Sequence, residues 1–178
     1  LNAGNKSYKR GDLGKATSYY EKALEFDPEF YLAYFQLGVL QKKQGQSKAA
    51  IASLNKVLEI KPDHDKTWFT LGTAHETDGN IDDAINHYNR AIEINPGYSK
   101  AYGSLGKLYT EKQEFKQAED ILKTVIQIDS EYANGFMRLG LLYIEQENYK
   151  DAASNLKVST ELDDKDHNKY FNLASAYN

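Results

Sequence analysis

Four histidines, His64, His75, His87 and His167, are the side chains best suited to moving a proton or holding a metal near neutral pH. None stands at metal-ligand spacing from a second ligand, so no metal site is expected. His64 falls in a loop, His75 takes a packing position, and His87 is expected on an exposed helix face. The adjacent carboxylates Asp82-Asp83 and Asp163-Asp164 could act as an acid and base pair. They sit instead where a helix begins and where a loop runs, and so read as ordinary terminal and solvated charges. Glycines occur singly, without the phosphate-cradling loop that nucleotide binding requires. The 14 tyrosines would suit a stacking platform for single-stranded nucleic acid. Most of them, including Tyr34, Tyr88, Tyr102, Tyr109 and Tyr143, fall at packing positions, and a net charge of −4 lacks a nucleic-acid binder's basic surplus. Neither a catalytic residue nor a cofactor is expected.

The chain has no Cys, which removes disulfides and thiol chemistry and suits a reducing compartment such as the cytoplasm. No apolar run approaches the ~20 residues of a membrane span, and no signal segment is present.

What positions the side chains is a 34-residue repeat. Gly38, Gly72, Gly106 and Gly140 occupy one position of it, joined by Gly4 and replaced by Ala174. The units run 31–64, 65–98, 99–132 and 133–166, with a partial unit over 1–30 and a first helix only over 167–178. About five units form one solenoid over 1–178, and the incomplete ends suggest a fragment of a longer protein.

Within 65–98, Trp68, Leu71 and His75 mark one amphipathic helix. Ile81, Ala84, Ile85, Tyr88, Ala91 and Ile92 mark a second. Asp78-Gly79-Asn80 supplies a turn glycine and an Asn placed to cap the second helix. Pro96 ends that helix, as Pro28 and Pro62 do in their units. A lone hairpin of this size cannot bury its apolar face, so neighbours must stack into an all-α solenoid of antiparallel helix pairs. Ala16, Ala50, Ala84, Ala118 and Ala152 repeat in step with the glycines, and the two small rows predict a close helix crossing.

The pattern Trp68, Leu71-Gly72, His75, Gly79, Ala84, Tyr88, Ala91 and Pro96 resembles the tetratricopeptide repeat family. The unit 99–132 repeats it with Tyr102, Leu105-Gly106, Tyr109, Ala118, Leu122 and Val125. Departures are Gln113 and Glu147 for the turn glycine, Ser130 and Asp164 for the final proline, and Ser159 for a buried Ala or Val. The resemblance implies a right-handed superhelix whose first helices line a concave groove that takes peptides or partner segments.

The family's inward positions map onto rows of this chain. The fifth-position row includes Phe35, Phe69, Met137 and Phe171 and is apolar except for a notch at Gly103. The sixth-position row, Asn2, Gln36, Thr70, Ser104, Arg138 and Asn172, is able throughout to hydrogen-bond a peptide backbone. Val39, Thr73, Lys107 and Leu141 follow at the ninth position, and Lys66 and Lys100 stand at the second. Counting the second, fifth, sixth, ninth, twelfth and thirteenth positions gives seven bases against three acids, a groove of +4 and a remainder of −8. Such a groove should attract an acidic or carboxylate-terminated segment. The carboxylate clamp of some family members is matched only at Asn5 and Lys66 in its best window, so chaperone tails are not expected.

The sequence therefore predicts a non-enzymatic protein-interaction module. Self-assembly through the apolar helix of 167–178 is the structural alternative, and a substrate-recruiting region of a larger enzyme is the other.

Overall fold

The computed structural model describes residues 1–163, which form ten helices and no strand. The chain divides into two compact units, residues 1–94 and the part beginning at Asn95. The first holds α1 (Asn2–Lys9), α2 (Leu13–Phe26), α3 (Tyr31–Lys43), α4 (Ser47–Ile60), α5 (Asp65–Thr77) and α6 (Ile81–Ile94). The second holds α7 (Ser99–Glu111), α8 (Phe115–Ile128), α9 (Ala133–Glu145) and α10 (Tyr149–Leu162).

Each hairpin closes over three residues, at 10–12, 44–46, 78–80, 112–114 and 146–148. Such short links force the two helices antiparallel. The middle residue of each link has positive φ: 82°, 74° and 78° at Gly11, Gly45 and Gly79, and 61° and 58° at Gln113 and Glu147. One backbone hydrogen-bond pattern recurs around it, as in Gly79 N–H to Glu76 O and Asn80 N–H to His75 O. The turn geometry is thus retained where the glycine is not, with a side chain held in the left-handed region. The second helices end at Phe26, Ile60 and Ile94, two residues before a proline, but also at Ile128 and Leu162, where no proline follows at that spacing. The terminal turn does not depend on the ring.

Within each unit the helices of a pair pack together, and each second helix meets the next first helix. First helices of successive pairs also touch, α3 with α5 in one unit and α7 with α9 in the other. The repeating alanines Ala16, Ala50, Ala84, Ala118 and Ala152 are fully buried. The close approach at the glycines has a different main partner from the alanines that the small rows suggested. A methyl added at Gly72 would lie 2.5 Å from Cε1 of Tyr88, and one at Gly106 would lie 2.5 Å from Leu122. The glycine is required because a large buried side chain of the second helix fills the space above it, and that large residue supplies the core. Ser159, in place of Ala or Val, is buried and donates its hydroxyl to the carbonyl of Ala133 at 2.8 Å, tying α10 to the start of α9.

Candidate functional site on the first helices

In the first unit the expected inward residues lie on α3 and α5, and several are engaged by other groups of the chain. Phe35 is half-buried, with its ring edge-on to His64 at 5.1 Å. Phe69 is half-buried against Tyr88, at 5.4 Å between centroids. Gln36 and Val39 are half-buried and Lys66 is exposed. Thr70 departs from the expected ladder of free hydrogen-bonding groups. It is buried, and its hydroxyl donates to the carbonyl of Lys66 at 2.6 Å, one turn back in the same helix. Thr73 donates to the Thr70 carbonyl at 2.8 Å and accepts from Lys42 Nζ at 2.7 Å, so α3 and α5 are bridged by a polar contact. Burial holds the Lys42 ammonium below the ordinary lysine range, against the opposing attraction of Glu76.

In the second unit, Lys107, Arg138 and Leu141 come together. With Thr110, Glu111 and Glu145 they line a cleft of about 290 Å³ on α7 and α9. Lys107 Nζ reaches Glu111 Oε1 at 3.4 Å. Arg138 Nε is buried without a hydrogen-bond partner, and Asn134 Oδ1, one helical turn earlier, is likewise buried and unpartnered. Ser104 and Met137 are half-buried, the latter packed on the core formed by α8, α9 and α10, while Lys100 is exposed. The cleft presents two cations over an apolar wall, with two carboxylates on its lining.

The notch expected at Gly103 is filled. The phenol of Tyr132 lies over it, its oxygen 2.7 Å from where a Cβ would stand, and the same ring packs against Gly135. Burial raises the Tyr132 phenol above its ordinary value, opposed by the nearby Arg138 guanidinium. His87 is also not exposed as expected. It is half-buried on α6, its ring 4.9 Å from His75 at a tilt of 32° and 5.6 Å from Trp68. Burial, then the neighbouring His75, lowers its pKa. His75 Nδ1 lies 3.8 Å from Asp83. Among the described residues no group of three metal-ligating side chains is assembled, and no helix is long and apolar enough to cross a membrane.

One row escaped the sequence reading. Phe30, His64, Tyr98 and Tyr132, each immediately before a first helix, recur at intervals of 34 and are all aromatic. His64 covers Phe35, and Tyr132 covers Gly103, so in these two units the last residue caps the fifth position of its own unit. The spacing was visible in the sequence, but these residues read as loop. Phe171, Asn172 and the helix expected over 167–178 lie outside the described residues.

Three family models described as tetratricopeptide repeat match residues 3–30, 19–52 and 77–137. No curated protein sequence matches the chain. Among solved structures, MamA is 27% identical with a TM-score of 0.80, over 93% of this chain and 96% of that one. A tetratricopeptide repeat protein from Parabacteroides merdae ATCC 43184 is 20% identical with a TM-score of 0.83, over 98% of this chain and 69% of that one. YrrB, described as a TPR protein with an unusual peptide-binding site, is 23% identical with a TM-score of 0.74, over 98% of this chain and 90% of that one. The repeated helix pairs, their glycine contacts and these matches agree, and the chain belongs to the tetratricopeptide repeat family.

Proposed function

We propose that the chain is a non-enzymatic protein-interaction module that holds a partner segment against its first helices, with the α7–α9 cleft receiving a carboxylate of that segment. The observation that carries this is Arg138, whose Nε is buried in the chain alone without a partner. A buried donor left unsatisfied costs roughly 1–3 kcal/mol, which an incoming carboxylate would offset. The contact of Lys107 with Glu111 is partly exposed and of a kind worth about 0–1 kcal/mol, so exchanging it for a second carboxylate costs little. Glu111 and Glu145 in the same lining repel a dense anion such as phosphate more than a singly charged carboxylate. Leu141 supplies the apolar wall for the stem that carries it. Lys66 and Lys100, both exposed, add positive charge to the first helices.

Two of the cations have partners within the chain: Lys42 donates to Thr73, and Lys107 pairs with Glu111. The likeness to YrrB is one of fold, and the chemistry of the occupant is argued from this chain's residues. A selection of random peptides against the chain, run alongside a Phe69→Ala, Lys100→Glu variant, tests groove binding. A motif rich in carboxylates that is enriched only on the original chain supports it. Equal enrichment on the two would refute it.

A further inference from the structure

Phe26 is the last residue of α2 and is 93% exposed, whereas Ile60, Ile128 and Leu162, at the same repeat position, are 38%, 44% and 39% exposed. Packing that half-covers this position elsewhere leaves the first copy in water, and there the side chain is the largest of the row. Two residues on, Pro28 begins the lining of a second cleft, of about 510 Å³, completed by Glu29, Tyr34, Lys56, Glu59 and Ile60. Tyr19, also exposed, lies two turns back from Phe26 along the same helix face. The corner where α2 leads into α3 thus joins a projecting aromatic to a cleft with aromatic and aliphatic walls, in the first unit and apart from the α7–α9 cleft.

The charge of this corner is acidic. Residues 21–29 carry Glu21, Glu25, Asp27 and Glu29 against Lys22 alone. The cations bordering the cleft are engaged: Lys56 donates to Glu59 at 2.6 Å, and Lys61 lies over the ring of Tyr31 at 5.5 Å. Asp27 accepts from the backbone N–H of Glu29, which fixes the turn and leaves the Glu29 carboxylate to the cleft.

We propose that this corner is a second docking surface, for a partner segment that carries an apolar side chain beside lysine or arginine. The apolar side chain enters the cleft between Tyr34 and Ile60 with Phe26 packed on it, and the cation meets Glu29 and its neighbouring carboxylates. The sign is opposite to that of the α7–α9 cleft, so one chain can hold two segments of different charge. An exposed large aromatic beside several like charges is an arrangement that concentrates binding energy in one residue and leaves selection to the charges.

The test is a selection of phage-displayed random peptides against the chain, with enriched clones remeasured on Phe26→Ser, Glu29→Lys and Arg138→Glu. Because Phe26 lies in water, Phe26→Ser retains the fold, which its circular dichroism and melting confirm. Clones pairing an apolar residue with Lys or Arg are expected, binding roughly tenfold more weakly to Phe26→Ser and to Glu29→Lys and unchanged on Arg138→Glu. Absence of any Phe26-dependent clone overturns the proposal, as do Phe26-dependent clones that are acidic. Sedimentation of the chain alone decides the remaining case, since self-association abolished by Phe26→Ser would make the occupant a second copy and overturn it as well. Loss of acidic clones on Arg138→Glu bears only on the α7–α9 cleft.

Discussion

A methyl group on Gly72 would stand 2.5 Å from Cε1 of Tyr88 and 2.6 Å from its Cδ1, and Tyr88 is fully buried. The ring also donates its hydroxyl to Glu76 on the opposite helix, so it is fixed at both ends. Alanine in a helix gains about 1 kcal/mol over glycine, but overpacking a filled core costs roughly 1–3 kcal/mol. Gly72→Ala should therefore destabilise the chain by up to about 2 kcal/mol. Urea unfolding of the variant checks this, and a gain in stability would mean that the ring yields freely.

Gly103→Ala should behave differently. Its closest contact is the hydroxyl of Tyr132, the far end of a half-buried side chain that can swing aside. The helix gain of about 1 kcal/mol and the contact penalty then nearly cancel. Near-neutral stability is expected, together with an altered Tyr132 environment in NMR spectra. Tyr132→Phe in the same background should shrink the coupling, which a double-mutant cycle measures.

Gln113 and Glu147 hold positive φ with side chains that disfavour it. Replacing either with glycine should stabilise the chain by about 0.5–1 kcal/mol, the left-handed penalty less glycine's added entropy cost. The same change at Gln46, one residue past the positive-φ position of its loop, should bring no such gain. Thermal melts of the three variants separate these outcomes.

Two half-buried histidines, His64 and His87, set a pH dependence. Burial and the adjacent His75 hold folded His87 below its ordinary 6.5, and burial holds His64 below it too. Between the ordinary and the lower folded values the unfolded chain binds the extra proton. Stability should thus fall as pH drops through 6.5 and level off below the folded values. Unfolding free energies across that range check the direction, and His87→Gln should flatten part of the slope. An unchanged slope would remove His87 as a contributor.

The repeat phase was legible because Gly72 and its counterparts cannot accept a methyl beneath Tyr88 or Leu122. The helix limits followed from the three-residue turns, whose hydrogen bonding persists where Gln113 replaces glycine. His87 was misplaced because one helix was read alone. Its counterparts include Ser53, which is buried, and Ile121, which is half-buried, and these show that the position is covered. Tyr132 was missed for a related reason. A side chain just before a helix has no periodicity of its own, and only comparison across repeats shows that Phe30, His64, Tyr98 and Tyr132 are one row. Thr70 was assigned a hydrogen bond to a ligand, but a threonine in a helix can donate to the carbonyl four residues back. The meeting of Lys107, Arg138 and Leu141 was only partly legible, since their row positions were known but not the cleft between them.

The most direct test is the affinity of an acidic peptide selected on the chain, measured on the original and on Arg138→Glu across a range of salt. Circular dichroism would confirm that the variant is folded. Binding to the original should weaken as salt rises, and the variant should bind about tenfold more weakly or worse. Equal affinity on the two proteins, with the same salt dependence, would contradict a carboxylate seat at Arg138.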